Sequence, residues 1–138
     1  MASITLKGRE IPLMYTVWEM KEIQEELGPL SKAIRLVLGR NPEDEKDTSL
    51  FGGAEHLEAI GKMVTILGNA GLELAGEKPD LTEKQVLRLM RPAQIYDAVN
   101  ACFECISQGN ESEIPPDEND GPVDETLEEM NKKKGKAG

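Results

Sequence analysis

Alternation marks the start of the chain. In "SITLKGREIPLMYT", Ile4 and Leu6 alternate with polar residues, and Ile11, Leu13 and Tyr15 then do the same. Gly8 stands between the two runs and can take positive φ at a tight turn, so the period predicts a short β-hairpin within residues 1–16. Pro12 lacks an N–H and predicts an open edge or a bulge at its position. A hairpin alone is marginal in water and needs a surface to lie on.

From residue 16 onward the period lengthens. In "TVWEMKEIQEELGPL", Met20, Ile23 and Leu27 share one helical face among charged neighbours. Thr16 and Glu19 have capping-box spacing, and Gly28-Pro29 predicts a stop followed by a new start. The second helix, "PLSKAIRLVLG", groups Leu30, Ala33, Ile34, Val37 and Leu38. The charged stretch "GRNPEDEKDTSLFGG" has neither period and predicts a surface loop. A long helix is predicted from Ala54 to about Ala75, with Leu57, Ile60, Val64, Leu67, Gly71 and Leu74 as its apolar line.

Gly61, Gly68 and Ala75 run seven apart on a neighbouring line of that helix. An interior glycine costs about 1 kcal/mol relative to alanine. Close approach of another helix would explain the line, and so would a helix that breaks near "GNAG". Thr82 and Gln85 then open a short helix through Val86, Leu89 and Met90, which Arg91-Pro92 ends. The last helix carries Ile95, Val99, Cys102, Phe103 and Ile106 as one stripe and closes at Gly109. The expected architecture is therefore mainly α, a small helical bundle over residues 1–109 with a short N-terminal β-hairpin.

Residues 110–138 differ in kind. Nine acidic side chains and no basic one fall between 110 and 130, with few apolar groups to offset ordering entropy, which predicts a disordered acidic tail. Within it Val123, Leu127 and Met130 stand at i, i+4 and i+7, followed by Lys132, Lys133, Lys134 and Lys136. That spacing suits a helix folding into a partner's groove; a solvated tail with three chance apolar residues has the same sequence.

The whole chain of 138 residues has 26 Asp plus Glu against 16 Lys plus Arg, a formal net charge of −10. Such a field repels phosphate backbones and argues against a nucleic-acid partner. No apolar run reaches the roughly 20 residues of a membrane span. "MASITLKGRE" has no apolar signal core, so the expected location is the cytoplasm.

Candidate chemistry is sparse. The two cysteines form C-x-x-C in "NACFECISQG", but near a helix C-terminus, where the dipole raises a thiol pKa, and with one histidine in the chain to complete a metal set. Cys102 and Cys105 are expected in the core, as small buried hydrophobes. His56, in "GGAEHLEAIG", reads as part of a solvated first turn between Glu55 and Glu58. The sequence contains no phosphate-loop, dinucleotide or nucleophile-elbow signature. No catalytic residue, cofactor or metal is assigned, and the chain is read as a non-enzyme. The pair of helices in "LTEKQVLRLMRPAQIYDAVNA" could pass for a helix-turn-helix, yet the second has no Lys or Arg between Pro92 and Gly109.

Three stretches, "ITLKGREIPLMYTVWEMKEIQEELG", "GNAGLELAGEKPDLTEKQVLRLMRP" and "GPVDETLEEMNKKK", taken in that order, resemble the tail assembly chaperones of tailed bacteriophages, the kind encoded beside the tape measure protein in prophages of Gram-positive bacteria. The resemblance implies a non-enzymatic protein of the bacterial host cytoplasm that is absent from the finished virion. It would bind the long helical tape measure protein, keep it soluble and help tail tube protein polymerise around it. Many such chaperones have a second, frameshifted form, and Lys132-Lys133-Lys134-Gly135 is compatible with an A-rich slip site. Under this reading Gly61, Gly68 and Ala75 are candidates for contact with the partner or for self-association, and Val123, Leu127 and Met130 are candidates for groove binding. The alternative function is an acidic transcriptional regulator or DNA mimic, acting through the helix pair or its negative surface.

Overall fold

Lys7 and Gly8 both take positive φ, 51° and 81°, which gives the two-residue turn whose twist matches its flanking strands. It joins β1 (Ser3–Leu6) to β2 (Arg9–Pro12) in antiparallel register, with Ile4 opposite Ile11 and Leu6 opposite Arg9. The computed structural model describes residues 2–111; the expected tail, with Val123, Leu127 and Met130, lies outside the described residues. The two-stranded sheet leaves β2 an open edge, so the missing N–H of Pro12 breaks no ladder bond.

Among the described residues, five α-helices follow the hairpin. Helix α1 (Val17–Leu27) begins at Thr16, whose backbone N–H and hydroxyl both donate to Glu19 Oε1. Gly28-Pro29 separates it from α2 (Leu30–Leu38), as the sequence predicts. The acidic loop after α2 is a chain of tight turns in which the Asn41, Asp44 and Asp47 side chains accept from Glu43, Lys46 and Ser49 backbone N–H groups. Arg35 anchors the loop from α2, donating to Pro42 O and pairing with Glu45 at 2.8 Å.

Helix α3 (Ala54–Leu74) is the central element, against which the hairpin and all four other helices pack. It runs unbroken through Gly68 and Gly71, as the predicted helix from Ala54 to about Ala75 requires, and the alternative of a break near "GNAG" does not occur. Its buried face is wider than the apolar line in the sequence and adds His56, Ala59, Met63 and Leu72. Leu74, expected on that face, is exposed at the helix end, and Leu38 of α2 is likewise exposed. Gly71 explains why the hairpin can lie on α3: a Cβ there would overlap Pro12 O. The approach is close enough for the Met14 N–H to donate to Leu67 O of the helix. Ile4, Leu6, Ile11, Leu13 and Tyr15 thereby join Ile60, Val64 and Leu67 in one core.

Helix α4 (Glu83–Leu89) is capped by Thr82 Oγ1, which accepts from the Gln85 N–H at 3.2 Å. The Asn69 amide of α3 fastens the preceding loop, donating to Leu81 O and accepting from Leu81 N–H. Met90 and Arg91 are extended because Pro92 disfavours helix in the residue before it. A 3-10 turn over Pro92–Gln94 leads into α5 (Ile95–Gly109).

Candidate partner-binding surface

The extended Met90-Arg91 link holds the end of α4 away from the start of α5, and an apolar groove opens where these two ends face the beginning of α3. It has a volume of about 390 Å³ and is lined by Leu57, Leu87, Met90, Arg91, Pro92 and Ile95, with Gly52 at one side. Arg91 is its one charged lining residue. None of the ion pairs among the described residues involves Arg91 or its neighbour Arg88. Beside the groove, next to Gly52 and Ile95, Phe51 and Tyr96 stack at 5.9 Å between ring centroids while remaining 50% and 68% exposed. Large exposed aromatics next to an apolar groove are a feature of interaction surfaces, because amphipathic rings gain area on binding at low entropic cost.

His56 positions this edge, and its setting corrects the expectation of a solvated residue. It is 1% exposed. The Gly52 N–H donates to Nδ1 at 2.8 Å, and Nε2 lies 3.0 Å from Val37 O. That pair of partners requires the neutral tautomer with its proton on Nε2, donating to the carbonyl. Burial pushes its pKa below the ordinary histidine value. The imidazole thus ties the end of the acidic loop to α2 and sets Phe51, whose ring centroid is 5.1 Å away. The burial had no periodic signal in the sequence, because the loop folding back over the first turn of α3 is what removes the ring from water.

The close approach of another helix, one of the two explanations for the small-residue line, occurs at Gly61, but the helix is α4 of the same chain. A Cβ on Gly61 would lie 2.9 Å from Leu87 Cγ, and one on Gly68 would lie 2.7 Å from Leu81 Cδ1. Both glycines are buried, and their space is filled by α4 and by the loop before it. Neither can meet a second chain in this fold, which corrects their assignment as intermolecular contacts. Ala75, at the C-cap of α3, is exposed and separate from the groove.

Cys102 and Cys105 are both buried in the core, as expected. Burial, reinforced by the neighbouring Cys105, raises the Cys102 thiol well above its ordinary range. Burial also pushes Cys105 up to about 11, with Glu19 and Glu104 adding to the effect. Neither is a thiolate at neutral pH, so neither is a ready nucleophile. Among the described residues, no three His, Cys, Asp or Glu side chains are grouped to hold a metal ion. Helices α4 and α5 each pack more on α3 than on one another, unlike the mutually packed helices of a helix-turn-helix. No helix among the described residues is long and apolar enough to cross a membrane. Compared with family models, characterised proteins and solved structures, the chain matches none.

Proposed function

We propose that this chain is a tail assembly chaperone of a tailed bacteriophage, binding the tape measure protein in the bacterial host cytoplasm and leaving before the virion is complete. The observation that carries the reading is the apolar groove with the exposed Phe51–Tyr96 pair beside it, on a small domain whose cysteines and histidine are committed to the core. A long helical protein awaiting assembly presents apolar faces that aggregate, and a groove between helix ends is a receptor for one such face. Covering those faces keeps the partner soluble until tail tube protein polymerises around it. The net charge of −10 keeps the covered complex in solution.

Co-expression with the long helical protein encoded by the adjacent gene, followed by affinity capture and size-exclusion with light scattering, tests the proposal. A soluble complex with several copies of this chain per partner is the expected result. A partner that stays in the insoluble fraction, with nothing co-purifying, would sink it. The regulator reading loses support from the packing of α4 and α5.

A further inference from the structure

We propose that the groove takes a helix whose apolar face is flanked along one side by carboxylates, which pair with a basic ridge on α4. The inference rests on the reading of the groove as a receptor for a helix, and adds the chemistry of that helix. Its ground is the place where this acidic chain keeps positive charge. Between Glu83 and Asp97 stand Lys84, Arg88 and Arg91 and no carboxylate, in a chain whose net charge is −10. All three cations are exposed, and none takes part in an ion pair among the described residues.

The helical period sets these cations along the groove. Val86 of α4 is buried in the core and Leu87 lines the groove. A rotation of about 100° per residue carries Lys84 and Arg88 to the flank beyond Leu87, on the side away from Val86. Arg91 follows in the extended link and lines the groove itself. Glu83 does not oppose them, because it lies against α3, where a Cβ on Gly61 would meet its Cγ at 3.0 Å. Glu55 and Glu58, the acidic neighbours of Leu57, face a separate cleft with Glu26 and Lys32. The α4 side of the groove is therefore cationic, while the Phe51–Tyr96 pair stands on the side of Gly52 and Ile95.

The field of the whole molecule repels an acidic ligand, so a preference for carboxylates can come only from this local ridge. Leu57, Leu87 and Met90 offer burial to apolar anchors, which a phosphate backbone does not carry and an amphipathic helix does. Each exposed ion pair is worth up to about fivefold in affinity, so the ridge acts mainly as a selector of partner and orientation.

Fluorescence anisotropy on the full-length chain tests this with two alanine-based peptides of about eighteen residues, each with Leu at i, i+4 and i+7. One carries Glu along one flank of the leucines, and the other carries Lys at the same positions. The Glu peptide should bind about tenfold more tightly, with the preference shrinking as ionic strength rises. Arg88→Glu combined with Arg91→Glu should abolish or reverse the preference at an unchanged urea midpoint. Lys84→Glu, on the ridge but outside the groove lining, should reduce it about threefold. Equal affinity, tighter binding of the Lys peptide or binding of neither overturns the proposal, as does a preference that survives these substitutions. Single-stranded DNA that binds as tightly as the Glu peptide, and is lost in the double variant, would give the ridge to nucleic acid and overturn it as well. The co-expression experiment fails separately. A carboxylate preference without capture of the adjacent gene's product keeps this inference and removes that partner, while capture without the preference does the reverse.

Discussion

At the scale of single residues, two buried polar groups dominate. His56 is held neutral between the Gly52 N–H and Val37 O, and its pKa lies below the usual value of 6.5. Below that value the unfolded chain takes up a proton that the folded chain resists. The contribution of His56 is thus complete above pH 6.5 and declines as pH falls from there toward its lowered native pKa. We expect urea unfolding to show a loss of stability between pH 7.5 and pH 5.5. His56→Gln should be destabilised by about 2 kcal/mol at pH 7.5, because a non-matching amide leaves buried partners unpaired, and should show a smaller difference between the two pH values. Tyr15 presents the opposite case. It is buried, and among the described residues its hydroxyl has no hydrogen-bond partner, while burial raises its pKa. Tyr15→Phe should therefore stabilise the fold by about 1 kcal/mol, raising Tm by roughly 4–8 °C for a domain of this size. A lower Tm for the variant would mean that the hydroxyl is satisfied in solution.

At the scale of elements, local chemistry carried most of the assignment. The Lys7-Gly8 turn, the Thr16 and Thr82 caps, the Gly28-Pro29 boundary and the Arg91-Pro92 boundary are all set by residues within four positions of one another. Such signals are legible in sequence because the physics that produces them is local. What a glycine in α3 is for was not legible. The seven-residue line of Gly61, Gly68 and Ala75 reads equally as an external helix contact, and only the paths of α4, of the loop before it and of the hairpin show that the space over the two glycines is filled from within. Gly71, read in the sequence as part of an apolar line, is the place where backbone meets backbone. Gly71→Ala puts a Cβ against the carbonyl of Pro12, a neighbour that cannot rotate away. We expect a cost of about 3 kcal/mol, the upper end for overpacking, read as a lower urea midpoint. A midpoint within error of the parent would mean that the hairpin does not sit on α3 as closely as the structure places it.

At the scale of the whole molecule, the residues that build the core and those of the proposed binding surface are different. The core runs from the hairpin through α3 to α5 and includes both cysteines, while the exposed Phe51–Tyr96 pair stands beside the groove where α4 ends and α5 begins. The groove escaped the sequence reading because Leu57, Leu87 and Ile95 come from three separate helices. Their half-buried state arises from how those helices end, and no single period reveals it. This separation makes the partner surface testable apart from stability. Tyr96 is 68% exposed, so Tyr96→Ala should change stability by no more than about 0.5 kcal/mol. An exposed aromatic beside an apolar groove is the residue type that dominates binding energy, so the same variant should weaken capture of the proposed partner, the tape measure protein, about tenfold or more. Gly71→Ala should show the reverse, a loss of stability with normal capture by whatever fraction remains folded. The pair of variants is read by urea midpoint on one axis and co-purified partner on the other. Full capture by Tyr96→Ala at normal stability would move the partner surface away from the groove, and the exposed Val17 and Trp18 at the start of α1 would be the next place to look.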